Sequence, residues 1–478
     1  MDVVQTFGNV IASQAEAHPD GMRRLLLTGW RAQLLKLKAF PDKRLPEARQ
    51  YSAVIAMQKI TDAMRNPERS AAMSIFTPYE PLDAAGILPY SPEQMSAFLA
   101  GTKCEGPFLE MAEGNGFCDT MCSYHRIFLG ALCNGMVPKP ACTVYTNLVC
   151  DGNMITFPYL QEKLGIPGFC IDVPYERSEE AVADVAEQIR KMTEFIGDVT
   201  GRHVTHEALC ESVARGWKSA LAYRRFLTAS PGRRLPADMT NEMYAFLMNH
   251  LLMGSEETLR YCTGLAEQME QAPKSDGLRL VWLHTMPFSQ EPAIKRLNFT
   301  DRVFITACDL AADPMLTDIN PAKPYDAMAR RMVYSAVNGP TKHRVQLALD
   351  LADMTQADGV VIYAHWGCKA TLGAAQLMKS QIEAAGLPCL VLDGDGADSA
   401  NRSDGQTATR LDAFLELLEA QKASCHGAPA PSPASASVPA PTPAPVPAST
   451  SASTPTSASA PTPAPAPAPS DKETEAAW

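Results

Sequence analysis

Three of the thirteen cysteines stand where a sulfur atom would meet a ligand instead of filling a core. Cys150 lies between a strand-like CTVYTNLV and a helix, in NLVCDGN; Cys368 occupies the same position in HWGCKAT, after GVVIYAH. Cys122, in FCDTMCSYHR, opens a further helix. Ligands of open α/β sheets bind beyond the carboxyl ends of the strands. A helix N-terminus favours a thiolate through its dipole and free N–H groups, so the spacing predicts three thiolates. They are too far apart in the chain for a local zinc finger. They suit a cluster or metal held in a cleft, with a fourth position open to water or substrate. Three unrelated loop thiols remain the alternative. Cys118, four residues before Cys122, is its competitor.

The other cysteines read differently. Cys170, Cys210, Cys262 and Cys389 sit in apolar or helical contexts and are expected to be buried thiols. An odd cysteine count, with no basic-then-apolar leader, suggests a cytoplasmic chain with free thiols. Forty-two basic against 53 acidic side chains give a net charge of −11, which argues against a nucleic-acid partner. No apolar run is long enough to span a bilayer, so no membrane partner is expected.

Helical periodicity fills the first seventy or so residues, ending at Asn66-Pro67. Strands and helices then alternate: AAMSIF, a helix from about Pro78, GILPY, MSAFLAG, SYHRIFLGALCNG, CTVYTNL, MITFPYLQEKLG and GFCIDVP. Long helical stretches follow, and a second alternating block begins at LRLVWLHT and ends at RLDAFLELLEAQ. The pattern predicts an α/β protein with two doubly wound parallel-sheet domains, an intervening helical segment and a disordered C-terminal tail. Expected boundaries are 1–70 for the N-terminal helices, 71–195 and 276–424 for the two α/β domains, and 196–275 for the helical connection. The segment 425–478, mostly Pro, Ala, Ser, Thr and Val, reads as a disordered spacer.

The segments MCSYHRIFLGALCNG, TNLVCDGNMITFPYLQEKLGIP and VIYAHWGCKATLGAAQLMKSQIEAAGLPCLVLDGDGAD occur in that order. Together they resemble the 2-hydroxyacyl-CoA dehydratase family, which also includes benzoyl-CoA reductase subunits. The resemblance runs from about Ser74 to Leu418. Its strongest elements are Cys-Ser-Tyr-x-Arg, a Cys-Asp-Gly before an aromatic-rich helix, and the late cysteine followed by Leu-Asp-Gly-Asp-x-Ala-Asp.

The resemblance implies that Cys122, Cys150 and Cys368 bind a 4Fe–4S cluster whose fourth iron is open. It implies loss of water from a 2-hydroxyacyl-CoA to give a 2-enoyl-CoA, through a ketyl radical formed by one-electron reduction of the thioester. Two partners are implied: a homologous second subunit and a separate ATP-dependent iron–sulfur activator. Ser74 matches a family serine that bonds an oxygen ligand of the cluster; a local turn bond is its other reading. Glu93 matches a candidate proton-transfer glutamate, although Ser91 intervenes between Tyr90 and Pro92 and Gln94 replaces an asparagine. A glutamate in the first turn of a helix is otherwise unremarkable as a dipole partner.

His365, just before Cys368, is a candidate to donate a proton or orient substrate. Asp393, Asp395 and Asp398 read as loop turns and caps, and Arg126 and Asp151 as charges supporting a cluster. No GxxxxGK[ST] or GxGxxG motif occurs, so neither nucleotide hydrolysis nor dinucleotide binding is expected of this chain. The alternatives are a benzoyl-CoA reductase-type subunit, a non-catalytic cluster-carrying electron-transfer protein and a zinc-binding scaffold.

Overall fold

The computed structural model describes residues 2–401 and 403–427, the last three as backbone only. The proline- and alanine-rich tail lies, from residue 428 onward, outside the described residues. Residues 1–427 form one compact unit.

Among the described residues eight strands build two sheets. The first holds β1 (Ser70–Met73), β2 (Leu88–Tyr90), β3 (Cys142–Thr146) and β4 (Gly168–Ile171) in the order β2-β1-β3-β4. The second holds β5 (Leu278–Leu283), β6 (Val303–Cys308), β7 (Gly359–His365) and β8 (Cys389–Gly394) in the order β6-β5-β7-β8. Every pairing is parallel. The two orders are the same topology used twice, although the sequences share no visible repeat. The central strands β1, β3, β5 and β7 are buried at every residue, as expected of strands covered on both faces. Trp282 and Tyr363 stack with ring centroids 6.3 Å apart, fastening β5 to β7.

In each sheet the chain reverses its winding direction between the two central strands. Crevices at the carboxyl ends of such strands are where α/β sheets take ligands. The segments leaving β1, β3, β5 and β7 therefore matter most. Helices Val3–Gln14, Pro19–Ala39 and Glu47–Arg65 precede the first sheet.

Two details differ from the sequence reading. The segment after β6, where the strand RVFITACD reads as running into a loop, is the helix Asp309–Leu316; Pro314 lies inside it, and its buried face outweighs the proline. The stretch EMYAFLMNHLLMGSEETLRYCTGLAEQMEQA, which reads as one long helical stretch, is two helices, Met239–Leu251 and Glu256–Glu270. They part at Gly254, whose φ is +89° and where a Cβ would lie 2.5 Å from Ser212 Oγ. Among the described residues no helix is long and apolar enough to cross a membrane.

Candidate active site

A cavity of about 1370 Å³ opens at the carboxyl ends of both sheets. Its walls include Ile75 and Phe76 after β1, Glu93 after β2, Cys150 after β3, His284 after β5, and His365 and Cys368 around the end of β7. Cys122 lines it from the start of the helix Ser123–Cys133. At this size the cavity exceeds the usual small-molecule pocket and has room for an extended ligand.

Close backbone approaches bring the three cysteines together. Gly367 has φ +80°, and a Cβ there would meet the Cys122 backbone nitrogen at 2.5 Å. A Cβ on Gly152 would lie 2.5 Å from the His125 ring. Glycine is thus the residue that lets the Cys368 loop lie on the Cys122 loop, and the Cys150 loop lie on the helix after Cys122. The sulfurs are near enough to influence one another: Cys368 helps raise the Cys122 thiol, and both help raise that of Cys150.

Two histidines hold two of the sulfurs. Cys122 Sγ is 3.3 Å from His365 Nε2, and Cys150 Sγ is 3.1 Å from His125 Nε2. The Gly396 N–H donates to His365 Nδ1 at 3.0 Å. Burial lowers the His365 pKa, so the ring is neutral, with its proton on Nε2 facing Cys122. On the other ring, His125 Nδ1 lies 2.8 Å from Thr156 Oγ1, and burial pulls its pKa down to about 4.

The expectation of thiolates stabilised by helix N-termini is corrected for two of the three. Burial, assisted by the neighbouring sulfurs, pushes the Cys122 and Cys150 thiols up from their ordinary value. Removing a charge from water outweighs a partial helix dipole. Only a cation among these sulfurs would make them thiolates.

Glu93 stands beside the Cys150 wall, with Oε1 3.9 Å from His125 Nε2. Its carboxyl is pushed up to about 7 by burial, and its buried Oε2 has no hydrogen-bond partner. Ligand atoms of Glu93, His125 and Cys150 lie within 4.8 Å of one another, close enough to share a metal ion. Ser74 is fully buried and does not line the cavity. Its Oγ is 2.7 Å from Thr77 Oγ1 and accepts from the Thr146 N–H at 3.3 Å. Cys118 is exposed at the cavity mouth, 2.9 Å from Thr120 Oγ1.

Supporting charges fall around the cysteines. Arg126 donates to the Met121 carbonyl at 3.1 Å and to Glu113 at 2.6 Å, and lies 3.7 Å from Asp398. Asp395 accepts from Ser123 Oγ and from the backbone N–H groups of Ala397 and Asp398, so it is a turn residue tied to the Cys122 helix. Asp398 accepts from the Ala400 N–H, and Asp393 pairs with Arg410 at the surface. Asp151 and Lys369, both exposed, pair at 3.7 Å and span the Cys150 and Cys368 loops.

Three residues of this wall escape the sequence reading: His125, His284 and Arg344. His125 fills the variable position of Cys-Ser-Tyr-x-Arg, one helical turn after Cys122. His284 ends LRLVWLH, where the strand-end rule that selects Cys368 would also select it. Arg344 lies inside the helix Lys342–Thr355 and carries no local signal.

Fold and cavity together define an α/β protein in which two duplicated sheets present thiols, imidazoles and a protonatable carboxyl to one cleft. Residues 74–418 match the 2-hydroxyglutaryl-CoA dehydratase, D-component family. The chain belongs to that family, and its enzyme class is that of acyl-CoA hydro-lyases.

Relatives agree with the family. The chain is 24% identical over 381 residues to the lactoyl-CoA dehydratase subunit alpha of Anaerotignum propionicum, covering 71% of this chain and 88% of the relative. It is 22% identical over 375 residues to the (R)-phenyllactyl-CoA dehydratase alpha subunit of Clostridium sporogenes, covering 72% and 88%. It is 22% identical over 411 residues to the (R)-2-hydroxyisocaproyl-CoA dehydratase alpha subunit of Clostridioides difficile, covering 79% and 97%.

Proposed function

We propose that this chain is the cluster-bearing subunit of a 2-hydroxyacyl-CoA dehydratase. It would take a 2-hydroxyacyl-CoA to a 2-enoyl-CoA with loss of water, alongside a homologous second subunit and a separate ATP-dependent activator that supplies one electron. The observation that carries the reading is the convergence of Cys122, Cys150 and Cys368 on one cavity.

The donor set fits a 4Fe–4S cluster. Three soft sulfurs come from three loops, and two already meet an imidazole nitrogen, the kind of contact that tunes cluster potentials. When bound, the cluster would supply an electron and a Lewis-acidic iron toward the leaving 2-hydroxyl. The protein does the rest. His365 Nε2–H holds Cys122 Sγ and orients that ligand, and His125 does the same for Cys150. Glu93, with a carboxyl that changes charge near neutrality, is placed to accept a substrate proton at Oε2. Ser74, whose hydroxyl is engaged with Thr77 and Thr146, shapes the turn after β1.

One observation favours a second reading. Glu93, His125 and Cys150 offer the mixed oxygen, nitrogen and sulfur ligands of a mononuclear zinc-type site. Anaerobic purification separates the two. A brown protein with about four irons per chain, forming enoyl-CoA once activator and reductant are added, supports the dehydratase. A colourless chain with one zinc overturns it. An intact cluster with persistent failure to dehydrate any 2-hydroxyacyl-CoA assigns the chain to electron transfer.

A further inference from the structure

The wall contributed by the second sheet holds nitrogen donors that the reading above does not use. His284 follows β5 with φ +83°, a conformation that non-glycine residues rarely adopt without a reason. Asp309 holds it there. The Asp309 carboxylate accepts from the His284 N–H at 2.7 Å, from the Leu310 N–H at 2.7 Å and from Arg344 Nε at 2.7 Å. Arg344, 5% exposed, also donates from Nη1 to Thr371 Oγ1 at 2.7 Å.

Each anchored group keeps something unused. Arg344 Nη2 and both ring nitrogens of His284 are buried without a hydrogen-bond partner. Leaving such groups unsatisfied is costly. Both residues line the same cavity as Cys368 and His365, and the His284 and His365 ring centroids are 6.0 Å apart. Among the described residues no acidic side chain other than Asp309 is paired with Arg344.

We propose that Arg344 Nη2 and the His284 ring form the binding site for the thioester carbonyl oxygen of the acyl-CoA. The inference deepens the dehydratase reading and rests on it for the ligand class. The charge balance selects a carbonyl over a carboxylate. Asp309 neutralises Arg344, and burial keeps His284 uncharged, so the pair offers directed N–H donors with no net charge. Donors fixed in this way also stabilise negative charge as it develops on that oxygen. Asp309 is the positioning residue that locks both.

The test compares butyryl-CoA with S-butyl-CoA, the thioether that lacks the carbonyl, on the full chain. Binding constants are measured together with the infrared stretch of a 13C-labelled thioester carbonyl. The wild-type chain should bind the thioester about tenfold more tightly than the thioether, the size of a good hydrogen bond, and should lower its carbonyl frequency. His284→Phe keeps the ring shape, and Arg344→Lys keeps a partner for Asp309. Each should bring the two affinities within about twofold and reduce the frequency shift, with the thioether constant unchanged. Equal wild-type affinity for both compounds, or a frequency shift that survives in both variants, overturns the inference alone. Failure of both compounds to bind overturns it together with the acyl-CoA reading. Loss of dehydratase activity in a chain that still discriminates the carbonyl overturns only the proposed reaction.

Discussion

The wall below the first sheet carries Glu93, His125 and Cys150, while the wall below the second carries His284, Arg344, His365 and Cys368. On the first wall the groups are potential ligands and proton acceptors: a thiol, an imidazole and a carboxyl whose Oε2 is unpaired. On the second, side chains are pinned so that an N–H is directed: Asp309 and Thr371 fix Arg344 and leave its Nη2 unpartnered, and Gly396 fixes His365 with Nε2 toward Cys122. Cys122 joins the two, since it starts a helix of the first block yet meets a histidine of the second. One topology used twice thus yields an accepting face and a donating face. Neither face alone would serve the reaction proposed for this chain, in which charge moves from one oxygen to another.

The largest test removes a sulfur from either wall. Cys150→Ser and Cys368→Ser should each reduce iron from about four per chain to well under one, read by iron analysis and absorbance. Cys118→Ser should retain full loading, because that thiol is exposed at the mouth. If one wall's cysteine proved dispensable, the convergence of the two walls would not be what binds metal.

Next comes the anchor of the donating wall. Arg344→Ala leaves Asp309 as an unpaired buried carboxylate and should cost about 3–5 kcal/mol in denaturant unfolding. Arg344→Lys should recover a large part of that loss. A small effect of the alanine variant would mean that the second wall is not preorganised by Asp309.

Glu93 gives the accepting wall a pH signature. Its folded pKa, about 7, lies above the ordinary 4.5 because of burial. The folded metal-free chain therefore holds the proton more tightly than the unfolded one. Stability should fall as pH rises from about 4.5 through about 7, by roughly 3 kcal/mol in total. Glu93→Gln should flatten that slope, and should also remove any acidic limb near pH 7 from the activity profile.

A smaller effect is expected at the seam between the walls. Gly367→Ala adds a Cβ against the Cys122 backbone at a positive φ, for a cost of about 1–3 kcal/mol and weaker metal retention. The smallest belongs to the exposed Asp151–Lys369 pair. Lys369→Ala should change unfolding stability by no more than about 0.5 kcal/mol.

Much of this arrangement is legible one segment at a time. Alternating apolar strands and amphipathic helices define the parallel sheets, because burial on both faces leaves a continuous apolar run such as LRLVWL. The strand-end rule finds Cys150 and Cys368, since position after a strand is a local property. What stays hidden is whatever depends on a distant partner. Asp309 looks like the end of a strand until its carboxylate is seen to hold His284 and Arg344. Ser74 looks available until Thr77 and Thr146 occupy it. The thiols of Cys122 and Cys150 look activated by helix ends until their burial is known.

The order of residues alone determined the class of fold and the family and singled out three sulfurs as candidates, because periodicity, turn signals and motifs are written along the chain. Only the tertiary structure decided which histidine meets which sulfur, which carboxyl stays protonated near neutrality and which donors remain unpaired. Those properties arise from desolvation and from contacts across hundreds of residues, and neither exists until the two sheets close on a common cavity.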